Sequence, residues 1–164
     1  MLLTSDYGIE FKVRVDDDLS SYNKLIDFQN LSLDVGLYVK DGQIFFYSSG
    51  TAAGSVTLAT DFTVGLERNG GTVRIFLDNV LIDTFVDGGN DAVPSGNILN
   101  FFEDDNATAQ FESFGGSVDF IRIHEDASTF GPTVPEPSSF VMLATGLIGI
   151  VFARRKRRQT NLVS

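Results

Sequence analysis

Apolar and polar residues alternate strictly between residues 7 and 15, which read Tyr-Gly-Ile-Glu-Phe-Lys-Val-Arg-Val. A period of two residues places the apolar side chains together on one face of a strand, and only that face is buried. Segments of this kind recur about every 8–12 residues, separated by glycine-containing turns. No helical period occurs before Ser138. The pattern predicts an all-β protein, an antiparallel β-sandwich or barrel of about nine strands.

The other strands can be placed from their alternation and from the turns between them. They are expected over residues 24–30, 33–39, 44–46, 62–66, 73–77, 80–86, 98–102 and 118–124, with a shorter candidate over 110–114. Asp41-Gly42 and Asp78-Asn79 have the composition of tight hairpin turns. In the last strand we expect Val118 and Phe120 on one face and Ile121 with Ile123 on the other. The phenylalanines, fifteen in number, are expected to fill the space between two sheets.

An uncharged apolar segment, residues 138–153, lies near the C-terminus. Five consecutive cations follow it, namely Arg154, Arg155, Lys156, Arg157 and Arg158. As a helix the segment would be about 24 Å long, slightly less than the ~30 Å hydrocarbon core of a membrane. We expect a transmembrane helix over 138–153, a linker over 131–137 and a basic cytoplasmic tail over 154–164. The positive-inside rule then places a domain of residues 1–130 outside the cytoplasm.

The linker contains Val134-Pro135-Glu136-Pro137, directly before the apolar segment and the basic end. These three parts, in this order, resemble the PEP-CTERM sorting signal of Gram-negative envelope and exopolysaccharide-associated proteins. The resemblance implies recognition by an exosortase, a membrane transpeptidase, and cleavage near the Pro-Glu-Pro motif. It also implies an exported product in the cell envelope or outside the cell. The alternative interpretation is a simple single-pass anchor, held by membrane lipid and never processed.

A second resemblance spans residues 7–126. The segments that carry it are Lys24-Leu-Ile-Asp-Phe28, Gly36-Leu-Tyr38, Val73-Arg-Ile-Phe-Leu-Asp78 and Gly116-Ser-Val-Asp-Phe-Ile-Arg-Ile123. Their order resembles the laminin-G-like, concanavalin A-type jelly roll, which implies a domain that binds glycan or protein. Members of that family usually begin with a further strand beside the last one, and exported chains begin with a signal peptide. The first residues provide neither, so we expect an N-terminally truncated sequence with an open sheet edge.

The charge of the chain is divided unevenly between its two parts. Residues 1–133 hold seven of the 12 basic and 21 of the 22 acidic residues, a net charge of −14. Such a surface repels phosphate, so we expect no nucleic-acid partner. It suits neutral polysaccharide, cations or proteins. The chain has no cysteine, which excludes disulfides and thiolate chemistry.

Acidic residues are the only candidates for a chemical site. Hydrolases that resemble this jelly roll carry a Glu-x-Asp-x-x-Glu run on one strand, and the sequence has none, so we expect no enzyme. A polysaccharide-cleaving enzyme on the same fold is the alternative. Asp104, Asp105 and Glu112 could share a Ca²⁺ ion, because this cation prefers clustered oxygen ligands. The competing interpretation of these three residues is a solvated acidic loop, without any cofactor.

Overall fold

The computed structural model describes residues 6–47, 49–106, 111–113, 115–125 and 127. The chain divides into two units, Met1–Gly131 and Pro132–Ser164, and every described residue belongs to the first. This part contains nine strands and one short 3₁₀ turn, Ser95–Asn97. The strands are β1 (Tyr7–Val15), β2 (Asn23–Asp27), β3 (Gly36–Lys40), β4 (Gln43–Tyr47), β5 (Asp61–Asn69), β6 (Thr72–Leu77), β7 (Val80–Val86), β8 (Asn100–Phe101) and β9 (Gly116–His124).

The strands form two antiparallel sheets. One has five strands in the order β7-β6-β5-β1-β9, and the other has four in the order β4-β3-β2-β8. Every pair of neighbouring strands is antiparallel. Because each strand alternates its side chains, each sheet turns one apolar face inwards, and the two inner faces form one hydrophobic core. The antiparallel β-sandwich predicted from the sequence is therefore confirmed.

Strand β1 contributes a row of buried side chains to the core, and its buried and outer residues alternate as predicted. Ile9, Phe11 and Val15 are fully buried and Val13 is 1% exposed. The intervening residues Glu10, Lys12 and Arg14 lie on the outer face. Side chains from the four-stranded sheet pack opposite this row, among them Leu25, Ile26, Phe28, Leu37 and Phe46. Full burial of each such side chain contributes about 1.5–3 kcal/mol, which makes this interface the principal stabilising element of the sandwich.

Two hairpin turns have the geometry that their composition indicated. Asp41 and Gly42, between β3 and β4, have φ of 51° and 70°. Asp78 and Asn79, between β6 and β7, have φ of 49° and 65°. Positive φ at both central residues defines the turn that matches the twist of paired strands, and Asp, Asn and Gly tolerate it best. Both turn predictions are confirmed.

The last strand differs from its predicted arrangement. A β-bulge between Val118 and Phe120 leaves Asp119 without a directly paired residue in β1. As a result Val118, Ile121 and Ile123 pair with Val13, Phe11 and Ile9 of β1. They lie on the same face of the sheet as these buried residues. They nevertheless remain 43%, 41% and 38% exposed. The prediction differed because it assumed unbroken alternation along the strand, and the bulge shifts that alternation by one residue.

Several other predictions differ in extent. Strand β2 ends at Asp27 and β8 contains only two residues, where the sequence predicted longer strands over 24–30 and 98–102. Within the candidate strand 110–114, residues 111 and 112 form a turn. Not every phenylalanine is internal, since Phe111 is 88% exposed. None of the described residues forms a helix long and apolar enough to cross a membrane. The predicted linker, transmembrane helix and basic tail lie outside the described residues.

Candidate functional site

The outer face of the four-stranded sheet carries two rows of side chains that run across its strands. In the first row Lys24 of β2 pairs with Tyr38 of β3, which pairs with Phe45 of β4. In the second row Asp27 pairs with Gly36, which pairs with Tyr47. The residues between them, such as Leu37 and Phe46, point into the core. One face of this sheet therefore builds the core, and the other brings together aromatic and charged groups.

Four rings, those of Tyr22, Tyr38, Phe45 and Tyr47, pack together on this outer surface, which we call the aromatic face. The rings of Tyr38 and Phe45 are stacked, with centroids 5.9 Å apart and planes at 22°. Tyr22 contacts both edge-on, at 5.9 Å and 6.0 Å. Tyr47 contacts Tyr38 edge-on at 6.3 Å. Tyr38 is buried at the centre, Tyr47 is 41% exposed, and Tyr22 and Phe45 are half-buried.

Charged groups border the aromatic face. The Tyr38 hydroxyl donates a hydrogen bond to Asp34. Burial, followed by this hydrogen bond and the charge of Asp34, raises the pKa of Tyr38 far above its ordinary value, so the phenol stays neutral. The ammonium of Lys40 lies 4.0 Å from the centroid of the Tyr22 ring, and that of Lys24 lies 5.2 Å from the centroid of Tyr38. Both are cation–π distances.

Lys24 is a buried lysine surrounded by carboxylates, and we call this group the Lys24 cluster. Its Nζ lies 2.9 Å from Asp105, 3.2 Å from Asp27, 3.7 Å from Asp104 and 4.0 Å from Asp34. Lys24, Asp27, Asp104 and Asp105 are all 0% exposed. Burial alone would lower the pKa of Lys24, but the hydrogen bond to Asp105 and the charge of Asp27 outweigh it and raise that pKa. The ammonium therefore stays charged.

A glycine and a bulge make room for the Lys24 side chain. The register of β2 against β3 shifts between Lys24 and Ile26, opposite the end of β3 where Gly36 lies. A Cβ atom on Gly36 would lie 2.2 Å from that carbonyl oxygen and 3.4 Å from Cε of Lys24. Any side chain at position 36 would therefore collide with the backbone of β2. Glycine is required here by close approach of two strands.

The three residues proposed as Ca²⁺ ligands are brought together around Lys24. Asp104 and Asp105 contact its ammonium, and the backbone N–H of Lys24 donates to the carbonyl of Glu112 at 2.8 Å. The backbone N–H of Glu112 donates to Asp104 at 3.1 Å. Burial, then the charges of Asp34 and Asp104, raise the pKa of the Glu112 carboxyl to about 6.

These contacts bear on the Ca²⁺ prediction without testing it. A lysine ammonium already lies among Asp104 and Asp105 and supplies part of the positive charge that a metal would provide. Within the described ranges, no group of three His, Asp or Glu side chains is arranged to hold a metal ion. Binding of Ca²⁺ at these residues stays a prediction. The alternative interpretation, in which these residues form a solvated acidic loop, does not fit Asp104 and Asp105, since both are buried.

The sequence contained a signal for the aromatic face that the alternation argument did not use. Residues 37–39 read Leu-Tyr-Val and residues 44–46 read Ile-Phe-Phe, so apolar side chains occupy both faces of β3 and β4. A strand that is apolar on both faces is covered on both or presents an apolar outer surface. The other predicted site residues lie outside the described residues. They are the sorting motif Val134, Pro135, Glu136 and Pro137 and the basic residues Arg154, Arg155, Lys156, Arg157 and Arg158.

Comparison with known proteins identifies the C-terminal segment. Residues 133–158 match the PEP-CTERM protein-sorting motif. The matched segment contains the Val-Pro-Glu-Pro sequence, the apolar run and the basic cluster, and it confirms the resemblance drawn from those residues. The motif implies exosortase-dependent sorting of an exported, envelope-associated protein. A search of curated protein sequences finds no matching relative.

The sandwich is similar to solved carbohydrate-binding structures. Domain 4 of an extracellular arabinanase from Geobacillus stearothermophilus, in complex with arabinotriose, matches with a TM-score of 0.57 and 13% identity over 75% of this chain. A putative carbohydrate-binding protein from Bacteroides ovatus matches with a TM-score of 0.56 and 13% identity over 76% of this chain. The chain spans 62% and 38% of these two structures.

A third similar structure is the CBM40 domain of a Ruminococcus gnavus sialidase bound to α2,3-sialyllactose. Its TM-score is 0.55 with 13% identity, and the match covers 75% of this chain and 77% of that domain. At these identities the comparisons show the fold, an antiparallel β-sandwich shared with carbohydrate-binding domains.

Proposed function

We propose that this chain is a non-enzymatic, exported protein whose sandwich binds a glycan on the aromatic face, and that an exosortase processes its C-terminal sorting motif. The observation that carries the binding half is the group of four rings on the outer face of the four-stranded sheet. The motif match over residues 133–158 carries the sorting half.

The aromatic face has the chemistry that a sugar requires. One face of a pyranose ring presents C–H groups and stacks on an exposed aromatic ring, while its hydroxyls need polar partners at the edge. Tyr47 is 41% exposed and Phe45 is half-buried, so both offer ring surface to a ligand. Asp34, Lys40 and the Tyr47 hydroxyl provide donors and acceptors around them. The fold shared with carbohydrate-binding domains supports the same assignment.

Glycan binding is tested by titrating the full-length chain, held in a non-ionic detergent, with oligosaccharides of different classes in a calorimeter. Phe45→Ala and Tyr47→Ala should each weaken binding about tenfold, because stacked rings contribute about 0.5–1.5 kcal/mol beyond their buried area. Leu81→Ala is the matched control, because Leu81 is 50% exposed on β7 of the other sheet. Absence of binding to every class, or equal loss in all three variants, would contradict the assignment.

A binding role without catalysis is supported by the state of the nearby acids. Asp104 and Asp105 are buried and engaged by Lys24, so neither is free to act as an acid or a nucleophile at a glycosidic bond. The purified chain should release no new reducing ends from a polysaccharide that it binds. Release of reducing ends that is lost on Glu103→Gln or Glu112→Gln would support the cleaving enzyme instead.

In the proposed sorting step, residues 138–153 cross the membrane before processing and 154–158 stay on the cytoplasmic side, which leaves the sandwich outside. The full gene should give a shorter mature protein in a host with the exosortase than in one without it. Replacement of Pro135 and Pro137 by Ala should abolish that difference, whereas Thr133→Ala should preserve it. A mature protein that keeps its tail in both hosts, as shown by mass spectrometry, would favour the simple membrane anchor.

A further inference from the structure

We propose that the aromatic face selects glycans that carry free amino groups, such as oligomers of glucosamine. This inference rests on the proposed glycan-binding function and names the chemical class of its ligand. The first observation behind it is that the chain places its own ammonium groups against this surface. Lys40 Nζ lies 4.0 Å from the centroid of Tyr22, and Lys24 Nζ lies 5.2 Å from that of Tyr38. The faces of aromatic rings are electron-rich and attract such cations.

The second observation is the negative charge beside the rings. The Lys24 cluster holds one ammonium within 4.0 Å of four carboxylates, those of Asp27, Asp34, Asp104 and Asp105. Asp34 is 37% exposed and accepts the hydroxyl hydrogen of the central ring, Tyr38. A carboxylate thus lies in partial contact with solvent at the margin of the aromatic face. A ligand ammonium placed there gains an ion pair with Asp34 at the margin of the aromatic face, whereas an N-acetylated amine carries no charge and gains none.

The third observation concerns Lys40. Its side chain is partly exposed at the end of β3, and its ammonium covers the Tyr22 ring. A protonated amino sugar would compete with this ammonium for the same ring face and would also be repelled by it. Lys40 therefore acts as an internal competitor. Its removal should strengthen binding of an amino glycan, whereas loss of the Asp34 charge should weaken it.

The two variants have opposite expected effects, and this gives a sharp test. The probes are a glucosamine hexamer and an N-acetylglucosamine hexamer, titrated calorimetrically into the full-length chain in non-ionic detergent at a pH that keeps the amine protonated. We expect the amino oligomer to bind about tenfold more tightly, and added salt to reduce this preference. Lys40→Met should tighten its binding several-fold, and Asp34→Asn should weaken it several-fold, so that the ratio of its affinity to that of the N-acetylated oligomer rises in the first variant and falls in the second.

Glu125→Gln is the control for non-specific attraction. It removes the same charge as Asp34→Asn from an exposed residue that follows β9 on the other sheet, and it should leave binding unchanged. Circular dichroism checks that each variant is folded. Equal affinity for the two hexamers would overturn this inference but leave the proposed function standing. A Glu125→Gln effect as large as that of Asp34→Asn would also overturn it. Absence of binding to any glycan class would remove the proposed function itself.

Discussion

The sharpest energetic prediction concerns Lys24. We predict that Lys24→Met destabilises the sandwich by about 3–5 kcal/mol at neutral pH, the usual cost of removing one partner from a buried ion pair. The Lys24 ammonium lies 2.9 Å from Asp105 and 3.2 Å from Asp27. With an effective dielectric constant of about 20, each contact attracts by about 5 kcal/mol. Desolvation of the lysine and its partners offsets most of this gain. The variant, however, leaves three fully buried carboxylates without their cation.

A loss of this size is a large part of the total stability of a small domain, about 5–15 kcal/mol. Urea unfolding of the full-length chain in detergent, followed by tyrosine fluorescence, measures it, because the chain has four tyrosines and no tryptophan. The matched control is Lys12→Met. Lys12 also contacts two aspartates, Asp61 at 3.4 Å and Asp119 at 3.1 Å, but its side chain is 33% exposed. Water screens such a pair, so the control should lose far less stability than Lys24→Met.

The pH dependence provides a second arm of the same experiment. The pKa of Lys24 is raised in the folded state, so its contribution is present at every pH below its ordinary value of 10.5 and is lost only as pH rises through the folded value. In Lys24→Met the deficit should shrink in acid, where the unpaired carboxylates take up protons. A variant within 1 kcal/mol of the unmodified chain at neutral pH, or a deficit that grows in acid, would refute this account of the cluster.

Three further outcomes follow from the same structure. Gly36→Ala should destabilise by about 2 kcal/mol or more in urea unfolding, because its Cβ would lie 2.2 Å from the Ile26 carbonyl oxygen. The pKa of Glu112 is raised to about 6 from an ordinary 4.5. Its contribution to stability is therefore fully present below pH 4.5 and is lost as pH rises through 6. Glu112→Gln should accordingly be more stable than the unmodified chain at pH 8 but not at pH 4. Arg68→Met should cost about 3–5 kcal/mol in the same assay, since Arg68 and Asp87 form a buried pair at 2.8 Å.

The sequence correctly predicted those elements that depend on residues close together in the chain. The alternation of residues 7–15 predicted β1 to the residue, and the composition of Asp41-Gly42 predicted its turn. Both depend on side chains a few positions apart, which the sequence displays directly. The sorting motif was found for the same reason, since its three parts are contiguous.

The parts that sequence reasoning missed depend on distant pairs. In the sequence Lys24 is only the first residue of a predicted strand, and its partners Asp104 and Asp105 lie about eighty residues away in the chain. The bulge at Asp119 likewise arises from pairing with β1 and reassigns Ile121 and Val118 to one face. Both effects depend on which distant residues are paired, and the unbroken alternation assumed for a single strand does not include that pairing.

The position of β9 has a mechanical consequence. Among the strands that the structure describes, this one is the last before the sorting motif, and it is bonded to β1 alone. If the C-terminal end is tethered while the sandwich holds a large polymer, tension along the chain acts on the β1–β9 ladder before it acts on any other described strand pair. That ladder can open while β7, β6, β5 and β1 keep their own bonds. Under force the domain would then lengthen by the extended length of β9, and the β1–β9 ladder would re-form when the force is released.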